Sequence, residues 1–205
     1  MRAHRPALLA VASALLGSVF VLWLLVRHGP LPGETDLTAS IRSALLRPDR
    51  IQVVDFVALM SAPGVAVVTV VAGALIAWRR VGLRAALLVV AASAIIVITD
   101  LAKRAVGPTG AFIQATGQVT DNFPSGHVSY VTAVFGAFGW LGWTRSVPEV
   151  AVVAVMLTAL MGPARVAHVA HVPSDALAGY LLGSGWLIVC VVAISSLRFR
   201  KTRRT

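Results

Sequence analysis

The stretch Ala164-Arg165-Val166-Ala167-His168-Val169-Ala170-His171-Val172-Pro173-Ser174-Asp175 lies between two long apolar segments. One arginine, two histidines and one aspartate are therefore kept where charge is expensive, and ionisable groups at membrane depth mark function by default. A second polar island, Phe123-Pro124-Ser125-Gly126-His127, interrupts the apolar pattern upstream. Together the two islands supply cations, a backbone turn and imidazoles, which is an inventory for handling phosphate.

Hydrophobic residues make up 58% of the chain and charged residues 13%, and the mean hydropathy is +0.84. That is too apolar for a soluble globule of this size, so the chain is read as an integral membrane protein. Apolar spans run over about 7–26, 53–77, 83–99, 128–143, 148–162 and 176–196. A crossing helix needs about 20 residues, and the fourth and fifth spans fall short unless flanking aromatics such as Trp140 and Trp143 extend them. The fold expected is all-α, a bundle of six transmembrane helices over residues 1–197, followed by a basic cytoplasmic tail at 198–205. The first span follows Met1-Arg2-Ala3-His4-Arg5, is long for a signal-peptide core and lacks an A-x-A cleavage site, so it is read as a retained helix. The single cysteine, Cys190, sits in an apolar run, which leaves no intrachain disulfide or CxxC site and assigns it to packing.

The net charge of +10 does not imply nucleic acid, because the cations form short runs beside apolar spans and no nucleic-acid motif is present. With six crossings the termini share a side. That side collects Arg2, Arg5, Arg79, Arg80, Arg84, Arg145, Arg198, Arg200, Lys201, Arg203 and Arg204 against Glu149 alone. The other side balances Arg27, Arg42, Arg47, Arg50, Lys103, Arg104 and Arg165 against Glu34, Asp36, Asp49, Asp55, Asp100, Asp121 and Asp175. The positive-inside rule then places both termini in the cytoplasm of a multi-pass plasma-membrane protein, with both polar islands at the outer face.

His171 and Asp175 are four residues apart, so on a helix the carboxylate can hold one ring nitrogen and leave the other free to attack. Pro173 fits only in the first turn of the last helix, which puts His171 at or just before the helix start; the alternative reading of the pair is that it caps that helix. Ser125-Gly126-His127 precedes an apolar span, so it reads either as a helix N-terminus that binds an anion, with His127 as proton donor, or as an ordinary N-cap with an interfacial histidine. Arg165 offers a phosphate-binding fork and Lys103 a point charge. Lys103 can also snorkel to the interface, or share a local ion pair with Asp100 and Arg104. His168 has Val172 four residues on, not an acid, and reads as a supporting or packing residue. A metal centre built from His127, His171 and Asp175 is disfavoured by the cations Arg165 and Lys103.

Pro124-Ser125-Gly126-His127, then Arg165, five residues, His171, three residues and Asp175, followed by Ala176-Leu177-Ala178-Gly179, resembles the type 2 phosphatidic acid phosphatase family. The resemblance implies that His171 attacks phosphorus to form a phosphohistidine, that Asp175 supports it, and that His127 protonates the leaving group. It implies a phosphate pocket of Lys103, Ser125, Gly126 and Arg165, no metal or other cofactor, and a lipid phosphomonoester or diphosphate as substrate: a polyprenyl diphosphate, phosphatidylglycerophosphate or phosphatidate. Two departures stand out. The first motif should carry Arg-Pro at positions where Gly110-Ala111 stand, and the third should open Ser-Arg where the chain has Ala164-Arg165. Loss of a charged contact costs several kcal/mol of transition-state stabilisation in a dry site, so a slow or inactive relative that binds or moves lipid is the alternative. The lipid and the oligomeric state are not set by the sequence.

Overall fold

A computed structural model describes residues 4–197, so the expected tail at 198–205 lies outside the described residues. The described chain is helical: α1 (Arg5–Val26), α2 (Glu34–Leu45), α3 (Ile51–Leu59), α4 (Pro63–Arg80), α5 (Leu83–Ser93), α6 (Ile95–Val106), α7 (Gly110–Thr116), α8 (Gly126–Thr144), α9 (Pro148–Ala167) and α10 (Pro173–Ser196). Proline at the first helical turn starts α4, α9 and α10, where its missing N–H costs nothing and its fixed φ suits the helix.

Among the described residues five helical stretches are long and apolar enough to cross a membrane: α1, α4, α5 with α6 as one span from Leu83 to Val106, α9 and α10. The fourth expected span, α8, has 19 residues and is not among these five. It is packed against α9, α10, α5 and α6 and buried along much of its length, so it needs no lipid-facing apolar surface. The second expected span is corrected. The chain breaks between α3 and α4, with Ala62 extended at φ −61° and ψ 141°, because a residue before proline is driven out of the helical region. The third span runs past its expected end at 99 to Val106, carried by the Asp100–Arg104 pair one turn apart.

The long helices alternate in direction. At one end of the bundle Arg5 donates to the Ser195 carbonyl, 3.2 Å, and Arg84 donates to that of Leu197. At the other end the Gly110 N–H donates to the Arg27 carbonyl, 3.0 Å, and the Ser125 N–H to the Asp175 carbonyl, 3.0 Å. Both polar islands therefore lie at the end opposite the described chain termini. The core between them is built from residues of α5, α6, α8, α9 and α10 such as Leu88, Ile95, Val131, Met161 and Leu182, while a second cluster around Phe112, Phe123 and Val172 packs beneath the site against Leu22 and Val26 of α1.

Gly179 sets the spacing of α8 and α10 at the site end. A Cβ there would stand 2.8 Å from Val128 Cβ and 2.9 Å from the Ser125 carbonyl oxygen. We predict that Gly179→Ala forces these helices apart and destabilises the protein by about 1–3 kcal/mol, the usual cost of overpacking. A thermal-unfolding series in detergent measures this, and a variant as stable as the parent would show that the contact relaxes without cost.

Candidate active site

The two polar islands meet because α8 and α10 begin side by side. Pro173 is the first helical residue of α10, with Val172 as its N-cap, so His171 stands just outside the helix, as its spacing from Pro173 requires. Asp175, fully buried, turns back over the start of its own helix. One carboxylate oxygen lies 3.3 Å from His171 Nδ1 and also accepts the Val172 N–H at 3.3 Å. The capping and the orienting readings of the pair are thus both realised by one oxygen. A carboxylate only accepts, so Nδ1 carries the proton and the Nε2 lone pair is left free. Burial pushes the His171 imidazole below its ordinary range, and the Asp175 carboxylate opposes that shift. The His127 ring lies beside it, with centroids 6.3 Å apart and planes at 62°.

Ser125 is the N-cap of α8, its hydroxyl oxygen accepting from the Val128 N–H at 3.4 Å. The N–H groups of Gly126 and His127 open that helix, and such groups have no intrahelical acceptor. The positive end of the helix dipole lies at the same place, and helix starts of this kind suit an anion. Lys103 comes from the last turn of α6, and its Cε is 4.0 Å from where a Gly126 Cβ would be, so the side chain crosses the mouth of α8. Arg165 comes from the last turn of α9, and its Nε is buried without a hydrogen-bond partner. Both cations lie close enough to act on the His171 charge. All seven expected site residues are thus gathered at one end of the bundle. Arg104 turns away and pairs with Asp100 at 2.9 Å, while Lys103 and Asp100 both line the cavity.

The missing first-motif arginine has a structural counterpart. A Cβ at Gly110 would fall 2.4 Å from the His28 carbonyl carbon and 2.8 Å from the Gly29 nitrogen, so the chain has no room for a side chain there. α7 is fastened to the end of α1 by the Gly110 N–H on the Arg27 carbonyl and by Gln114 Nε2 on the His28 carbonyl at 3.0 Å. Lys103 is the cation among the residues lining a cavity of about 580 Å³ that runs from Gly126 and His127 between α4, α6 and α8, past Ala66, Val67, Val70 and Ile96.

Three supporting residues were not legible as such in the sequence. Glu34, buried at the start of α2, accepts the Ser174 N–H at 2.7 Å and the Leu31 N–H at 2.9 Å, so a loop acid 140 positions away caps α10. Its only sequence signal was an acid after the Gly29-Pro30-Leu31-Pro32-Gly33 turn. Pro163 inside α9 removes the N–H that would serve the Ala159 carbonyl, and the Tyr180 hydroxyl lies 2.9 Å from that carbonyl while accepting the Gly162 N–H at 2.9 Å. The helix turn that carries Arg165 is repaired in this way. His168 caps α9 and pairs with Asp55 of α3 at 3.0 Å, a supporting position in keeping with its expected one. Val169 follows at φ +57°, with the Ala170 N–H on the Arg165 carbonyl and the Val169 N–H on that of Val166, both 3.1 Å. This is a Schellman turn whose left-handed position glycine usually fills.

No curated protein sequence matches the chain. A crystal structure of a transmembrane PAP2-type phosphatidylglycerolphosphate phosphatase from Bacillus subtilis is similar in fold, with a TM-score of 0.70 at 17% identity over 92% of this chain and 98% of that one. The family model of the PAP2 superfamily matches residues 82–199, a segment that holds both polar islands and all seven gathered residues, and the chain belongs to that superfamily.

Proposed function

We propose that the protein is a membrane lipid phosphatase that hydrolyses a lipid phosphomonoester or diphosphate through a phosphohistidine at His171, without a metal. The observation that carries this reading is His171 held by buried Asp175 and facing His127, with His127 and Lys103 at the polar end of a long apolar cavity. A phosphate bound on the N–H groups of Gly126 and His127, with Lys103, Ser125 and Arg165 around it, places phosphorus near the free His171 Nε2. The lone pair forms the N–P bond as the P–O bond to the leaving group breaks, and His127 gives its proton to the departing oxygen, an alkoxide from a phosphomonoester or a lipid monophosphate from a diphosphate. Water, deprotonated by His127, then attacks the phosphohistidine and releases inorganic phosphate, restoring both rings. The apolar cavity suits the lipid chain. Polyprenyl diphosphate, phosphatidylglycerophosphate and phosphatidate all satisfy this chemistry.

The second reading, a family member that binds or moves lipid with little turnover, is favoured by Gly110. The pocket has lost a cation, and the steric seal against His28 and Gly29 leaves no space for one at that position. Phosphate release from a panel of lipid phosphates by purified protein separates the two readings, because a binder retains lipid phosphate without releasing phosphate.

The charge supplied by Lys103 and Arg165 replaces that of a metal ion, so turnover is expected to persist in excess EDTA. Loss of turnover on chelation, restored by a divalent ion, would falsify the metal-free mechanism.

Orientation follows the basic residues: both termini in the cytoplasm and the site at the outer face of the plasma membrane. A cysteine placed at Gln118 is expected to react with an impermeant thiol reagent in intact cells, and one at Thr202 only after lysis. The opposite labelling would reverse the leaflet from which substrate is drawn.

The two histidines are expected to differ by leaving group. His127→Ala should lose about 10²–10⁴ in kcat on a lipid phosphate, the range of general acid catalysis, and much less on para-nitrophenyl phosphate, whose phenolate leaves without a proton. His171→Ala should be inactive on both and form no phosphoenzyme. Equal losses for His127→Ala on the two substrates would remove the general-acid role, and turnover in His171→Ala would remove the nucleophile.

A further inference from the structure

The cavity that opens at the start of α8 changes character along its length. Its polar end is made by Gly126, His127 and Lys103, with Asp100 beside Lys103. Lys103, Asp100, Ile96 and Ser93 recur at intervals of three and four residues, so they form one stripe down the wall. Ala66, Val67 and Val70 of α4 line the cavity with them. From Lys103 to Ser93 the stripe descends roughly 15 Å at about 1.5 Å per residue, the depth of one leaflet of a hydrocarbon core about 30 Å thick. A lipid lying in the cavity therefore has its phosphate at the Lys103 end and its chain among the apolar residues.

In the proposed reaction the leaving oxygen faces His127, so the atoms that follow it along the lipid pass Asp100 before they reach the apolar walls. Negative charge outweighs positive charge there. Three carboxylates act on Lys103, those of Asp175, Asp100 and Asp121, against one cation, Arg165. Arg104 is already committed to Asp100, its Nε and a terminal guanidinium nitrogen each 2.9 Å from the same carboxylate oxygen. Gly110, pressed against His28 and Gly29, leaves no room for a further cation at its position. A phosphomonoester carries a charge of about −1.5 to −2 near neutral pH, which Lys103, Arg165 and the N–H groups that open α8 can answer. A diphosphate adds a second anionic phosphate between the first and the chain, and the charged group it meets in the wall is the Asp100 carboxylate.

We propose that the site selects lipid phosphomonoesters against lipid diphosphates, and that Asp100 sets the selection by repelling a phosphate in the position of the leaving group. The inference rests on the phosphatase reading and narrows its substrate class. The alcohol carbons of a monoester bring no charge to that point. A diphosphate brings an anion to a carboxylate beside apolar walls, where like charges repel more strongly than in water, and such a mismatch excludes a competing substrate without improving the hold on the preferred one.

Initial rates of phosphate release from farnesyl phosphate and farnesyl diphosphate, which share one chain, test this with the purified full chain in detergent. The diphosphate has the better leaving group, so intrinsic reactivity works against the expected result. We expect kcat/KM to be about a hundredfold higher on the monophosphate, the scale of one electrostatic contact at a reacting centre. Asp100→Asn should cut that ratio about tenfold, the size of one like charge removed at close range in an intermediate dielectric. Both rates come from one preparation, so partial misfolding lowers them together and leaves the ratio unmoved. Equal or faster release from the diphosphate overturns the selection while the phosphatase reading stands. An unchanged ratio in Asp100→Asn overturns the role of Asp100. Release from neither substrate overturns the phosphatase reading and this inference with it. The parent's ratio needs no variant, so the selection is decided even if Asp100→Asn fails to fold.

Discussion

The hydrogen bond from the Ser125 N–H to the Asp175 carbonyl, 3.0 Å long, holds the starts of α8 and α10 together, and the remaining features of the site depend on that juxtaposition. Two helix N-termini side by side bring two positive dipole ends into contact, and Lys103 and Arg165 add full charges beside them. Such an arrangement persists only if anions answer it. Asp175 and Glu34 answer for α10 by taking the Val172 and Ser174 N–H groups. At the start of α8 the Ser125 hydroxyl oxygen takes the Val128 N–H.

The close approach itself is a packing matter. Gly179 lets the Ser125 carbonyl and Val128 reach the α10 backbone, so the same contact that compacts the bundle brings His127 to His171. Stability and site geometry are coupled at this point. At the other side of the site, Arg165 is positioned by a helix turn interrupted at Pro163 and repaired by Tyr180, then closed by the left-handed Val169. A β-branched residue there costs of order 1–3 kcal/mol, and the His168–Asp55 pair from α3 fastens the turn from outside. The segment between Arg165 and His171 is thus held at both of its ends.

The first motif departs from its family's pattern in a way that packing explains. With glycine at 110, α7 seats directly on the backbone of residues 28 and 29, and the pocket is left to two cations.

Much of this was present in the sequence because it depends on local spacing. The membrane class follows from composition, the start of the last helix from Pro173, and the pairing of His171 with Asp175 from a four-residue interval that any helix start would honour. What the sequence could not contain was contact between distant segments. That Glu34 caps α10, that Tyr180 serves a carbonyl freed by Pro163, and that Gly110 is pressed against His28 are results of how helices far apart in the chain come to lie together. The break at Ala62 was hidden by the continuous apolarity on both sides of it, since hydropathy measures transfer to lipid and says little about backbone direction. For the same reason α8 read as an ordinary span, although only its tertiary placement, enclosed by four other helices, decides that it supports the site from within.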